Sequence, residues 1–293
     1  MVNKFFLFCF FSHLAFAQKN QSFWKNADSI NKKRLIGSGL AIGSSYIGSI
    51  ISLQQVWYKE SFQSDFHLFN DRNNWLQMDK AGHVFTGYYL SSMISGNLCW
   101  TGINAPKANI IGGAIGVSYL TSLEIMDGFS KNWGFSWWDM ASNFGGTTLF
   151  LGQEYAFSKQ IFLPKFSFQT TKYASVRPEV LGSNFPEQLL KDYNGQTYWL
   201  SFSPGNLGLK SFPKWLCLSF GYSADEKLVG DSEIFHNYNS KREFLLSLDI
   251  NLNELNVKNE FWKKVLRQVN IIKIPFPAIY LTEAKVGFSM IYF

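Results

Sequence analysis

Cysteine and charge are both scarce in this chain. Its 293 residues include three cysteines, none of them in a CxxC pair, which argues against a paired-thiolate metal site or a disulfide framework. Charged residues make up 16% of the sequence, against about a quarter in a typical soluble domain. Lysine and arginine are not clustered into a nucleic-acid footprint, so we expect no nucleic acid as a partner. The sequence also lacks GxSxG and GxxxxGK, the signatures of a nucleophile elbow and a phosphate-binding loop.

Apolar residues, by contrast, are abundant. Hydrophobic residues form 46% of the chain and aromatic residues 18%, enough for a core or a lipid-facing surface. The chain begins with Lys4, an apolar run from Phe5 to Phe16, and Ala15-Phe16-Ala17. This layout predicts a secretory signal peptide over residues 1–17 and therefore an exported protein. We expect Cys99 and Cys217, which remain after cleavage, to be separate buried thiols.

The rest of the chain predicts an α+β protein with two regions. Residues 18–157 read as a glycine-rich four-helix membrane-associated module. Leu35 to Leu53 carries nineteen residues without a formal charge, which suits a membrane span, although a buried helix of a soluble bundle has the same pattern. Three more helices are predicted, from Asp79 to about Ile103, from about Ala108 to Met126, and from near Ser136 to Glu154. Asp79 is expected to open the first of them, at or before its first turn, where an acidic residue can cap free backbone amides and complement the helix dipole. Ser136 or Asp139 could cap the last.

Residues 158–293 predict a β-rich C-terminal region. From Arg242 to Asn253, apolar and polar residues alternate, which is typical of a strand with one apolar face. Shorter alternations occur at Thr197–Phe202, Trp215–Tyr222 and Lys285–Phe293, and one amphipathic helix is predicted at about Asn259–Gln268. Four strands are too few for a membrane barrel, which needs about eight. We therefore expect an open sheet or a partial, barrel-like wall.

Polar side chains in the helical region fall into pairs that share a helix face. Asp79 and His83 are four residues apart, Glu124 and Asp127 three, and Asp139 and Asn143 four, so each pair points in one direction. If the three helices pack side by side, these groups converge, with Lys80 neutralising part of their charge. The predicted polar network contains Asp79, Lys80, His83, Glu124, Asp127, Asp139 and Asn143.

The order DKxxH, ExxD and DxxxNxxG over about Met78 to Gly152 resembles the YfiM-type predicted periplasmic lipoproteins and, more distantly, the VanZ-like membrane proteins. The matching residues are those of the network together with Gly146. The resemblance implies a small helical membrane module in the cell envelope. It carries over no catalytic residue, and VanZ-like proteins are associated with glycopeptide resistance without a transferable mechanism. Two features depart from it: the lipid-attachment cysteine is missing, and Asp127 stands where VanZ-like proteins commonly have glutamine.

Three interpretations of the network remain open. It can be structural, because buried polar groups that bond one another specify how helices pack. It can bind a divalent metal ion such as zinc, manganese or iron through His83, Glu124, Asp127 and Asp139. It can also perform metal-free acid and base chemistry, with His83 carrying the proton and Glu124 or Asp127 orienting it.

These interpretations lead to two hypotheses about function. The first is an exported envelope protein with a structural or assembly role. Its partners would be membrane lipid and outer-membrane or periplasmic proteins, and its location the outer membrane or the periplasmic face. The alternative is a metal-dependent envelope hydrolase or transferase that acts on a lipid or glycan.

Overall fold

The computed structural model describes residues 21–58, 62, 65–230, 235, 237–283 and 285–293. The predicted signal peptide lies outside these residues. The chain divides into two compact units. The helical unit comprises Asn26–Gln160, and the sheet unit combines Ile161–Phe293 with the segment that ends at Lys25. The predicted division at residue 157 stays a prediction.

The α-helices of the described residues fall into long ones in the helical unit and short ones in the sheet unit. In chain order they are α1 (Gln21–Trp24), α2 (Lys32–Leu53), α3 (Met78–Trp100), α4 (Ala105–Gly128), α5 (Trp137–Phe157), α6 (Pro178–Leu181), α7 (Phe185–Lys191) and α8 (Glu260–Val269).

Side-chain caps mark the starts of α4 and α5. Ser136 caps α5 by accepting from the backbone amides of Trp138 and Asp139, as one of the two predicted alternatives had it. Asn104 caps α4, so that helix starts earlier than predicted, with Pro106 tolerated in its first turn. Asp79 lies at the start of α3 as predicted, where it complements the helix dipole, but its side chain does not cap the helix. Gln77 occupies the cap position and makes no side-chain cap bond, while Asp79 lies in the first turn.

Helices α3, α4 and α5 pack closely because small residues stand at their crossings. Gly87 of α3 lies against the backbone of Asn143, and Gly146 of α5 lies against the carbonyl of Val84. Gly112 of α4 lies in the same way against the backbone of α3. These crossings bring the polar faces of three helices to one place.

Helix α2 is exposed along most of its length, with Ser38 its one buried residue among those described. The side chains of Ile36, Leu40, Ile47 and Ile51 are exposed. By length and composition, α2 and α4 are both apolar enough to cross a membrane. The apolar stretch of α4 is one-third buried inside the bundle and that of α2 only 6% buried, so α4 is partly packed and α2 is almost entirely exposed.

The sheet unit contains a six-stranded antiparallel sheet in which each strand pairs with its neighbour in sequence, in the order β1 to β6. The strands are β1 (Phe162–Phe168), β2 (Gln196–Phe202), β3 (Leu216–Asp225), β4 (Lys241–Ile250), β5 (Phe276–Thr282) and β6 (Lys285–Tyr292). An α+β protein with an open antiparallel sheet is thus confirmed. The sequence indicated four of these strands and missed β1 and β5. Each of the two contains a proline, Pro164 or Pro277, which weakens a strand signal.

Candidate functional site

The predicted polar residues of α3, α4 and α5 meet at one end of the three-helix bundle. Asp79, Lys80 and His83 lie in the first turns of α3, and Asp139 and Asn143 in the first turns of α5. Glu124 and Asp127 lie in the last turns of α4. Because α4 enters this end with its C-terminus and the other two with their N-termini, three separate sequence motifs reach one cluster.

Lys80 is the positive centre of the cluster. Its Nζ lies 2.6 Å from Asp71 Oδ2, 2.9 Å from Asp79 Oδ2 and 2.6 Å from Asp139 Oδ1. Asp71 comes from the segment before α3, and its other oxygen accepts a 2.5 Å hydrogen bond from Ser136 Oγ. One lysine therefore ties that segment, α3 and α5 together, while Ser136 both caps α5 and orients one of the carboxylates.

His83 faces a different set of partners with each ring nitrogen. Its Nδ1 lies 2.9 Å from Asn143 Oδ1 and 3.7 Å from Glu124 Oε1. Because an amide oxygen only accepts, Nδ1 carries the hydrogen and donates it to Asn143. In the neutral ring, Nε2 is then left with a lone pair. It lies 3.6 Å from Asp79 Oδ1 and 3.5 Å from Asp139 Oδ1.

Burial is the largest influence on the pKa values of the carboxyl groups, and neighbouring charges modify it. Burial raises the pKa of Glu124 to about 8. Burial, together with the charge of Asp79, raises the pKa of Asp139 to about 9. Burial also opposes ionisation of Asp79, but the neighbouring His83 and Lys80 outweigh it and hold the pKa of that carboxyl below its ordinary value. The pKa of Lys80 is likewise raised: burial would lower it, but the charges of Asp79 and Asp139 prevail.

Asp127 lies beside the cluster and has its own partner. The Tyr58 hydroxyl donates a 2.7 Å hydrogen bond to Asp127 Oδ1. Burial raises the pKa of Asp127 to about 6, although the bond from Tyr58 works in the opposite direction. Its carboxylate thus stabilises the segment that carries Tyr58 and is not directed at the histidine ring.

The structure therefore brings Asp79, Lys80, His83, Glu124, Asp139 and Asn143 into mutual contact. Sequence reasoning missed Asp71, Ser136 as the partner of Asp71, and Tyr58. Asp71 stands in an irregular segment, where helical spacing gives no signal, and Tyr58 belongs to a short π-helical turn, Gln54–Tyr58. The three groups whose ligand atoms lie within 4.8 Å of one another are Asp79, His83 and Asp139. The predicted ligand set of His83, Glu124, Asp127 and Asp139 stays a prediction, and the geometry favours Asp79 over Glu124 and Asp127.

The site is a carboxylate-rich cluster around one histidine and one lysine, held between three packed helices. Residues 65–152 match the family described as Predicted periplasmic lipoprotein (DUF2279). This match confirms the resemblance to the predicted periplasmic lipoproteins and includes every residue of the cluster except Tyr58. It agrees with an exported protein associated with the cell envelope, while the similarity to VanZ-like proteins stays a prediction. No curated protein and no solved structure matches the chain.

Proposed function

We propose that the protein is an exported cell-envelope protein whose helical unit binds a divalent metal ion between Asp79, His83 and Asp139. The observation that carries this proposal is the position of His83 Nε2, which lies 3.6 and 3.5 Å from two carboxylate oxygens. These separations are too long for hydrogen bonds. They are close to the roughly 3.4 Å expected between two ligands that share a tetrahedral metal ion with bonds of about 2.1 Å.

The surroundings of the histidine support the same proposal. A metal-binding histidine usually donates its other ring hydrogen to an oxygen acceptor, and Asn143 provides that acceptor at 2.9 Å. Asp139 Oδ1 is buried and accepts no well-directed hydrogen bond, although Lys80 Nζ lies 2.6 Å away. A metal ion bound to this oxygen would therefore share it with the Lys80 ammonium group.

A metal ion at this position would also reduce the excess negative charge. Among the described residues, Lys80 is the one permanently charged cation of the cluster. Five carboxyl groups lie in or beside the cluster: Asp71, Asp79, Glu124, Asp127 and Asp139. With His83 neutral and all acids ionised, negative charges would exceed positive ones by four. Burial, the main cause of the raised pKa values of Glu124 and Asp139, favours their protonated forms, so metal binding and protonation should compete.

Such a site would suit hydrolysis or group transfer. Three protein ligands leave a coordination position for water, which is the usual arrangement of catalytic zinc sites. The side chains of His83 and Asp79 are 24% and 23% exposed, so the site is open to small solutes. We therefore infer that the activity of such a site is metal-dependent hydrolysis or group transfer on an envelope lipid or glycan. Glu124 would be its nearest proton-transfer group.

Metal titration by calorimetry tests the proposal. The chain is purified in detergent without chelator and titrated with Zn²⁺ and with Mn²⁺. We expect about one equivalent to bind, and His83→Ala and Asp139→Asn to abolish binding. Asp127→Asn is the matched control. It removes a carboxylate of the same end of the bundle and should leave binding unchanged if Asp79 completes the site. Absence of binding to the wild-type chain, or binding unaffected by His83→Ala, would refute the proposal.

A second candidate, a purely structural or assembly role, is favoured by the three ion pairs of Lys80. They join three chain segments that share no secondary structure. In this case every cluster variant would lower the melting temperature. No variant would change metal binding, because the wild-type chain itself would bind no metal. Outer-membrane or periplasmic proteins would then be the partners, and their capture should weaken in step with stability.

We also propose that α2 attaches the helical unit to a membrane. Its apolar side chains Ile36, Leu40 and Ile47 are exposed, and Lys32, Lys33 and Arg34 at its start would meet lipid headgroups. Leu40→Asp with Ile47→Asp should lower the fraction of the protein that membranes retain during carbonate extraction. The control is Ile110→Asp, which changes an equally exposed isoleucine on α4. Release of both variants alike, or of neither, would contradict the role of α2.

A further inference from the structure

The outer face of the sheet carries a continuous apolar surface. Register pairs Leu200 with Phe220, Phe220 with Leu246, Leu246 with Ile279 and Ile279 with Phe288, so one row crosses β2 to β6. Each of these five side chains is between 39% and 60% exposed. A second row lies beside it and consists of Tyr198, Tyr222, Phe244, Leu281 and Val286. We call these two rows the outer apolar face.

The inner face of the same strands is buried and combines an apolar cluster of Trp199, Leu245, Ala278 and Tyr292 with polar side chains. Ser201, Ser219 and Ser247 occupy neighbouring positions there, and all three are buried. Lys165 Nζ lies 2.7 Å from Asp249 Oδ2, and neither side chain is exposed. An antiparallel sheet in water normally places its apolar side inward and its polar side outward. This sheet instead buries its serines and an ion pair beside the apolar cluster and exposes the more apolar of its two faces.

The inner face is also enclosed. The Tyr292 hydroxyl of β6 lies 3.1 Å from Thr197 Oγ1 of β2, and the Tyr292 ring lies 5.8 Å from that of Trp199. Side chains of β2 and β6 therefore touch on the inner face, although three strands separate them in the sheet. This contact requires the sheet to curl. On the edge of β1 that faces away from β2, the backbone of Phe166 forms hydrogen bonds with the backbones of Ile271 and Lys273. Part of this edge strand is therefore paired. The outer apolar face is consequently the convex side.

We propose that the outer apolar face lies in the hydrocarbon of a lipid bilayer. An exposed apolar exterior over an interior that buries an ion pair and several hydroxyl groups is typical of proteins whose surrounding solvent is lipid. A convex surface favours this occupant, because fluid acyl chains can follow a curve over five strands that a rigid protein partner would touch at only a few. The face belongs to the sheet unit and is independent of the metal site.

One border of the face matches the chemistry of a membrane interface. The hydroxyl-bearing rings of Tyr198 and Tyr222 lie in the row next to the ends of the strands, and Tyr222 Oη accepts a 2.6 Å hydrogen bond from Arg242. Lys241 and Lys285 begin β4 and β6 at the same end of the sheet. Tyrosine rings followed by cations are the order expected where hydrocarbon gives way to phosphate headgroups.

The length of the apolar face and the number of strands indicate a sheet that is partly embedded in lipid rather than a closed pore. Along β4 the apolar positions run from Phe244 to Ile250, about 20 Å at roughly 3.4 Å per residue. A membrane barrel has an apolar band of about 25 Å and about eight strands or more. The strands with both edges paired, β2 to β5, carry most of the face, so their backbone groups stay satisfied in hydrocarbon.

Photolabelling of the unmodified chain tests this inference without substitutions. The full mature chain is reconstituted into vesicles of phosphatidylethanolamine and phosphatidylglycerol that contain a phospholipid with a diazirine on its acyl chain. After illumination, labelled positions are mapped by mass spectrometry. We expect labels on Phe220, Leu246 and Ile279 and none on their inward neighbours Ser219 and Ser247. Equal labelling of both parities, or none, would overturn the inference. So would cross-links at these positions to a second copy of the chain, because the face would then be a dimer interface.

Flotation with paired variants gives a second test. To remove the contribution of α2, the variants are made in the Leu40→Asp, Ile47→Asp background. Leu246→Arg with Ile279→Arg should lower the vesicle-bound fraction by at least about tenfold, since arginine facing hydrocarbon is strongly disfavoured. Leu190→Arg, at an equally exposed leucine of α7, should not change it. Near-ultraviolet circular dichroism checks that the sheet is folded in both variants. Flotation of the folded double arginine variant at the level of its background would refute the inference, whatever the outcome of the metal and α2 experiments.

Discussion

His83 Nδ1 lies 2.9 Å from Asn143 Oδ1, so an amide on α5 fixes the orientation of an imidazole on α3. This contact is the reason that Nε2 points toward Asp79 and Asp139. Without the amide oxygen, the nearest acceptor for Nδ1 is Glu124 Oε1 at 3.7 Å, too far for a good hydrogen bond. The ring would then be free to turn away from the proposed metal position.

Asn143→Ala should therefore weaken metal binding while the three ligands remain. We expect a loss of about 10- to 100-fold in Zn²⁺ affinity, the usual effect of removing the hydrogen-bond partner of a ligating histidine. Thr147→Ala is a suitable control. Thr147 is buried on the same helix one turn later and bonds to Ser91 at 3.0 Å, so its removal affects packing without touching the ring. Equal affinities for the two variants in a competition titration would count against the positioning role.

Lys80→Met should destabilise the helical unit strongly. The substitution leaves Asp71, Asp79 and Asp139 facing one another without their shared cation, and removing one partner of a buried ion pair costs about 3–5 kcal/mol. The loss should be greatest at high pH, where all three acids are ionised, and smaller at low pH, where protonation relieves their repulsion. Chemical denaturation at several pH values measures it. Lys107→Met, at an exposed lysine of α4, should change stability little at any pH.

Glu124→Gln should flatten the dependence of stability on pH. Burial raises the pKa of Glu124 to about 8, from an ordinary value of 4.5. The folded state therefore holds a proton that the unfolded state releases, and wild-type stability falls as pH rises from about 4.5 through about 8. A glutamine removes this contribution, so the variant should lose less stability than the wild type between pH 5 and pH 9. Glu154→Gln, which leaves Glu124 in place, should keep the wild-type slope. A variant slope as steep as that of the wild type would contradict the prediction.

The cluster was largely predictable because helical spacing is a local property. Asp79 with His83, and Asp139 with Asn143, stand on one face whatever surrounds them, and the glycines at the crossings allow α3, α4 and α5 to approach. Asp71 and Tyr58 could not be predicted in the same way. They reach the cluster from segments whose course depends on tertiary contacts such as the bond between Ser136 and Asp71.

The sheet shows a different limit of sequence reasoning. The alternation along Arg242–Asn253 predicted a strand with one apolar face, and β4 occupies most of that stretch. Alternation of apolar and polar residues, however, does not show which of the two faces of the strand is buried. Here the polar parity is inside, because Lys165, Asp249 and the serines satisfy one another there. The contacts that decide this join strands far apart in sequence.

Gly146→Ala should disrupt the crossing of α3 and α5, and with it the site. A methyl group at Gly146 would clash with the backbone carbonyl of Val84, and backbone atoms on a packed helix have little room to yield. We expect a destabilisation of about 1–3 kcal/mol or more, the usual cost of overpacking. Gly152→Ala is the matched control on the same helix. A methyl group there would have no neighbour within 4 Å, and alanine favours a helix over glycine by about 1 kcal/mol. Urea denaturation should therefore move the two variants in opposite directions. If Gly146→Ala proved as stable as the wild type, α3 and α5 would have to cross at a greater distance, and the contact between His83 and Asn143 would be lost with the close crossing.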